Sequence, residues 1–62
     1  MTIYEKLFNY YKKLQSQEMQ SEIQGYKPMK IKNTKVAIKV TFKDGDWIRV
    51  YENIDGGSVE WY

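Results

Sequence analysis

The stretch Val36 to Tyr51, VAIKVTFKDGDWIRVY, leaves this chain few folds to choose from. Val36, Ile38, Val40 and Phe42 alternate with Lys35, Ala37, Lys39, Thr41 and Lys43, the pattern of a strand with one buried face. Asp44-Gly45 then marks a turn, and the turn type decides what the second strand buries. A two-residue Asp44-Gly45 turn would place Trp47, Arg49 and Tyr51 on the face of Val40 and Phe42. A three-residue turn, Lys43-Asp44-Gly45, with Gly45 in the left-handed conformation, instead pairs Val40 with Ile48 and Ile38 with Val50. A one-residue slip moves every side chain to the other face, so the cost of burying Arg49 selects the three-residue turn. The aliphatic residues of both strands then share one face. Lys35, Lys39, Thr41, Lys43, Trp47, Arg49 and Tyr51 share the other, with Lys39 directly opposite Arg49. Facing like charges cost about 0.2–1 kcal/mol, and strand pairing by itself supplies no reason for them.

A covering helix is expected from the N-terminal segment. Thr2-Ile3-Tyr4-Glu5 fits a capping box. Ile3, Leu7, Tyr10, Tyr11 and Leu14 recur at helical spacing, and Tyr4 and Phe8 widen that stripe. Met19 and Ile23 continue it until Gly25 offers a stop, which predicts a helix over residues 3–24. Such a helix would be about 33 Å long, against about 23 Å for a seven-residue strand, so it either overhangs the sheet or bends near Ser16.

Tyr26-Lys27-Pro28 breaks the helical pattern. Met29 and Ile31 alternate with Lys30 and Lys32, predicting an edge strand over residues 28–32 whose Asn33-Thr34 turn sets Ile31 against Val36 and Met29 against Ile38. At the other end, a turn at Asp55-Gly56 places Val59 and Trp61 beside Val50 and Ile48, and turns Ser58, Glu60 and Tyr62 outward. The expected architecture is α+β, one helix on a four-stranded antiparallel meander with strands over 28–32, 35–42, 46–53 and 58–62. A three-stranded version, with residues 26–34 as a loop, is the nearest competitor.

Sixty-two residues make one domain close to the lower limit for independent folding. The chain has no cysteine and no histidine, which removes disulfides, thiolate metal sites and the usual neutral-pH acid–base group. No apolar run is long enough to span a bilayer, so a soluble, cytoplasmic protein is expected. The net charge of +2 hides segregation: residues 27–43 hold six lysines and no acid, and residues 44–62 hold five acids and one arginine. Asp44, Asp46 and Asp55 fall near turns, where aspartate is ordinary turn chemistry, and Ile48 and Val50 occupy positions that a calcium loop would need for ligands. No nucleophile–base grouping, phosphate loop or dinucleotide fingerprint is present, so a non-enzymatic protein without metal or cofactor is expected.

The outer sheet face is the one specific feature. It carries Lys30, Lys32, Lys35, Lys39, Lys43 and Arg49, interleaved with Thr41, Trp47, Tyr51 and Tyr62, with Glu60 as its one acid. Cations beside rings suit single-stranded nucleic acid, where charges track phosphates and rings stack on bases. They equally suit a protein partner, for Trp, Tyr and Arg are favoured hot-spot residues. In size, in its Lys/Tyr/Ile-rich composition and in its lack of catalytic residues, the chain resembles the small phage- and mobile-element-encoded inhibitors of the anti-CRISPR kind. That resemblance implies a monomer or small homo-oligomer that covers a surface of a host protein or nucleoprotein complex; it assigns no individual residue. Nucleic-acid binding through the same face, and self-association through the C-terminal strand, are the alternatives.

Overall fold

The computed structural model describes residues 2–62. Two helices, α1 (Ile3–Lys13) and α2 (Gln17–Glu22), precede four strands, β1 (Ile23–Met29), β2 (Thr34–Phe42), β3 (Trp47–Asn53) and β4 (Val59–Trp61). The strands form one antiparallel sheet in the order β1-β2-β3-β4, with α1 on one face, the expected α+β arrangement.

The central hairpin has the register that Arg49 demanded. Ile38 pairs with Val50, Lys39 with Arg49 and Val40 with Ile48. Phe42 N–H donates to the Asp46 carbonyl at 2.8 Å and Gly45 N–H to the Phe42 carbonyl at 3.0 Å, which closes a three-residue turn. Gly45 sits at φ 95°, where a side chain is disfavoured. The Asp44 carboxylate accepts from the Asp46 N–H at 3.0 Å, so this acid is spent on the turn. Ile38, Val40 and Val50 are fully enclosed, joined by Leu7 and Tyr11 from α1. Ile48, expected to be buried, is only half-buried. The last β3–β4 pair is Arg49 with Tyr62, so no β4 residue stands beside Ile48.

The N-terminal helix is shorter than the predicted span of 3–24. Thr2 caps α1 as expected, its hydroxyl accepting from the Glu5 N–H at 3.1 Å. After Lys13 the chain tightens, with Leu14 N–H reaching the Tyr11 carbonyl and Gln15 N–H the Lys12 carbonyl, both at 3.1 Å. Ser16 then caps α2 through the Met19 N–H at 3.2 Å. The Gln20 side chain folds back to donate to the Lys12 carbonyl, as a second donor beside Gln15 N–H, and to the Gln15 carbonyl, at 2.9 and 3.1 Å, and so ties α2 to the end of α1.

The first strand begins earlier than expected, at Ile23 rather than at residue 28, and its register is shifted by one. Tyr26 pairs with Val40, Lys27 with Lys39, Pro28 with Ile38 and Met29 with Ala37. Tyr26, not Met29 or Ile31, therefore meets the helix, stacking on Phe8 with centroids 4.4 Å apart. The hydrogen-bonded pairing of Phe42 with Asp46 means that even-numbered β2 residues bond to β3 and odd-numbered ones to β1. Gly25, Lys27 and Met29 then bond to β2, and the missing N–H of Pro28 faces the open edge, where it costs nothing. The last connection also differs in detail: Asn53 N–H donates to the Ser58 carbonyl at 2.9 Å across four residues, Ile54 to Gly57. Val59 and Trp61 keep the expected inward face, but they stand opposite Glu52 and Val50 rather than beside Val50 and Ile48.

Candidate functional site

α1 covers one face of the sheet and leaves the other open, where the pairing sets side chains in rows across the strands. Lys27, Lys39 and Arg49 make the middle row. It ends at Tyr62, which exchanges both backbone hydrogen bonds with Arg49, at 2.8 and 3.0 Å. Gly25, Thr41 and Trp47 form the row on one side; Met29, Ala37, Tyr51 and Glu60 form the row on the other. Facing side chains in such rows stand about 4.5–5.5 Å apart at Cβ, so the three cations are neighbours.

Within the face the side chains are already assembled. Lys39 Nζ and the Arg49 guanidinium carbon each lie 4.6 Å from the centre of the Trp47 ring. Arg49 also lies 5.0 Å from the Tyr62 ring, and Tyr62 meets Tyr51 edge-on with centroids 5.9 Å apart. Each cation–ring contact at an exposed site contributes about 0.5–1 kcal/mol, comparable with the cost of the facing charges. The fold thus supplies a reason for the Lys39–Arg49 pair that strand pairing alone does not: both cations converge on Trp47. The cluster is part of the sheet's own stability as well as a surface.

Six of the ten residues expected on this face are gathered there: Lys39, Thr41, Trp47, Arg49, Tyr51 and Tyr62. Four are not. Lys30 and Lys32 follow the end of β1 and lie in the connection to β2. Lys43 is in the turn, where its N–H donates to the Glu22 carbonyl at 2.9 Å. Lys35 sits where the β2–β3 register shifts between Thr34 and Val36, and its Nζ lies 3.9 Å from a Glu52 carboxylate oxygen. It borders a groove on the helix side. Lys27 is the residue the sequence reading missed. The one-residue shift of β1 brings it into the row, and the alternation of Met29 and Ile31 with lysines pointed to the other register.

The acid on this face, Glu60, is engaged by the Asn53 side-chain amide. The Tyr51 phenol is pushed above its ordinary pKa by desolvation at its half-buried position, with the Glu60 carboxylate and Tyr62 adding to the effect. Three cations, an indole and two phenols on an uncovered sheet are chemistry for recognition, with charge-assisted hydrogen bonds from Arg49 and apolar area from the rings. No helix of the described residues is long and apolar enough to cross a membrane. Comparison with protein-family models, with curated proteins and with solved structures found no match for this chain.

Proposed function

We propose that the chain is a non-enzymatic binding protein, an inhibitor or adaptor of the anti-CRISPR-like kind. Its open sheet face would occupy an anionic surface of a host protein or nucleoprotein complex. The observation that carries this reading is the contact of Arg49 with both Trp47 and Tyr62 on a face that no other element of the described residues covers. An arginine held between rings is already ordered before it meets a partner, which reduces the entropy lost on binding. Arg, Trp and Tyr are also the residues on which binding energy concentrates.

A second reading, single-stranded nucleic acid on the same face, draws on the row Lys27, Lys39 and Arg49. Two observations favour the protein partner. The face holds three aligned cations rather than the six expected, which limits phosphate contacts. Its rings are also engaged by cations and by each other instead of lying free for bases.

Capture from lysate of the cell that makes the protein, with half of each sample nuclease-treated, tests the reading. A specific partner retained after nuclease and lost with Arg49→Glu, but not with Lys12→Glu on the helix, supports it. Capture abolished by nuclease, together with binding of protein-free nucleic acid to the purified chain, would transfer the face to nucleic acid. Binding there would weaken with salt at a slope of about −0.7 per neutralised phosphate on a single strand.

A further inference from the structure

The helix-side face of the sheet is only partly covered, and what remains open has a definite shape. Four strands spaced about 4.8 Å apart make a sheet roughly 19 Å wide, while a helix with its side chains is about 10–12 Å across. α1 lies chiefly on β2 and β3, and α2 packs against β1. The ring contact between α1 and β4 is the edge of Tyr11 on Trp61, with centroids 5.1 Å apart.

On the β4 side of α1, apolar groups stand in solvent. Ile3, Tyr10 and Leu14 are 56, 50 and 52% exposed, and Trp61 on the inner face of β4 is 40% exposed. At 100° per residue the three helix positions fall on a single stripe. Ile3, Leu7 and Tyr10 wall a groove of about 400 Å³ with Val59 of β4; Leu14, one turn beyond Tyr10, and Trp61, against Tyr11, extend it as an apolar trough along α1 and β4.

Charge selects among occupants. Lys6 and Lys13, seven residues apart, follow the outer flank of the apolar stripe, and Lys6 lines the groove. The acid at the groove, Glu52, is already beside Lys35. The trough is thus apolar along its floor and positive along one rim. A second copy fits poorly, because α1 carries Lys6, Lys12 and Lys13 against Glu5 alone and reciprocal helix packing would set lysines on lysines.

We propose that this trough docks one amphipathic helix of another protein, lying beside α1 on the same sheet face. Its apolar residues, at i, i+4, i+7 and i+11, would cover Ile3, Tyr10, Leu14 and Trp61, and its carboxylates would run along Lys6 and Lys13. Grooves that take a helix are read out in this way, by a spaced apolar stripe with charged flanks. The site is separate from the open face and does not depend on the function proposed for it.

Two synthetic peptides of about 18 residues, long enough for five turns, test the proposal. Both carry the same leucine stripe; one has glutamates on the flank and the other lysines. Each is titrated into the isotope-labelled chain while backbone amide shifts are followed. The expected result is that the glutamate peptide perturbs α1 and β4, binds at least about tenfold more tightly than the lysine peptide, and leaves the chain monomeric. Leu14→Lys, at an exposed position, should weaken it by a similar factor. The double variant Lys6→Glu/Lys13→Glu should reverse the preference between the peptides, an outcome that loss of folding cannot produce. Arg49→Glu should leave the titration unchanged, which separates failure here from failure of the open-face reading. No shifts at millimolar glutamate peptide, equal affinity for both peptides, shifts confined to the open face, or a homodimer that excludes the peptide would each overturn the proposal.

Discussion

Replacing Lys39 with glutamate puts a carboxylate between two cations, because Lys39 faces Lys27 on β1 and Arg49 on β3. In the parent both pairs are like-charged. The substitution removes two unfavourable pairs and creates two favourable ones. Each charge pair contributes about 0.2–1 kcal/mol relative to a neutral pair, with the lower half of that range appropriate for side chains at this degree of exposure. Reversing two neighbours is thus worth about 1–2 kcal/mol. Against this stands the lost contact of Lys39 with Trp47, at 4.6 Å, worth about 0.5–1 kcal/mol. The net expectation is a gain of about 0–1.5 kcal/mol, centred on roughly 0.75, and for a domain of this size each kcal/mol moves Tm by roughly 4–8 °C. Circular-dichroism melts at low ionic strength should show Lys39→Glu melting above the parent and above Lys39→Gln. The difference should shrink as salt rises past the point where the Debye length, about 3 Å at 1 M, falls below the side-chain separations. A Lys39→Glu variant that melts below Lys39→Gln at low salt would refute the cation row, since only the neighbours on either side distinguish the two substitutions.

Three further outcomes follow from the core, the turn and the tyrosines. Val50→Ala, at a fully enclosed position, should cost about 1–3 kcal/mol in denaturant unfolding, more than the cost per buried methyl at half-exposed Ile48. Gly45→Ala should cost about 1 kcal/mol; no atom crowds a side chain there, so the whole effect comes from φ 95°, and an unchanged denaturation midpoint would contradict the bulged turn. Burial raises the Tyr11 phenol above its ordinary value of 10.0, so the unfolded chain loses that proton first. Stability carried by the neutral phenol is therefore intact below about pH 10 and lost as pH rises beyond it. Melts across pH 9–11 should show the decline, and Tyr11→Phe should lessen it.

The hairpin was legible because three local signals agreed: alternation of apolar and polar residues, Asp-Gly at the turn, and one arginine that could not be buried. The first strand was not, for a reason visible in its pairing. Its inward residues are Ile23, Tyr26 and Pro28, and the irregular pairing between Ile23 and Gly25 gives them spacings of three and then two, which is neither a strand's period nor a helix's. Met29, Ile31 and the lysines between them offered cleaner alternation at the wrong register. The end of α1 was half legible. Of the two alternatives for a helix too long for the sheet, the bend near Ser16 is the one the chain takes, with Ser16 capping α2; the good helix formers after Leu14 and Met19 on the stripe had left one continuous helix equally open. Most of the candidate face inherited the legibility of the hairpin. Lys27 entered it, and Lys30 and Lys32 left it, with the one element whose register was hidden.

If the open sheet face is the binding surface, Lys39→Glu separates binding from folding, because the variant is expected to be at least as stable as the parent. The direct measurement is the affinity of parent and Lys39→Glu for the captured partner, by titration calorimetry at one ionic strength, with Lys12→Glu as the control for a cation lost elsewhere. A carboxylate in the middle of the row Lys27, Lys39 and Arg49 opposes an anionic partner at the centre of the contact. The predicted result is a loss of affinity of about 30-fold or more, corresponding to about 2 kcal/mol, with Lys12→Glu unaffected. Equal affinity of Lys39→Glu and parent would contradict binding through this face.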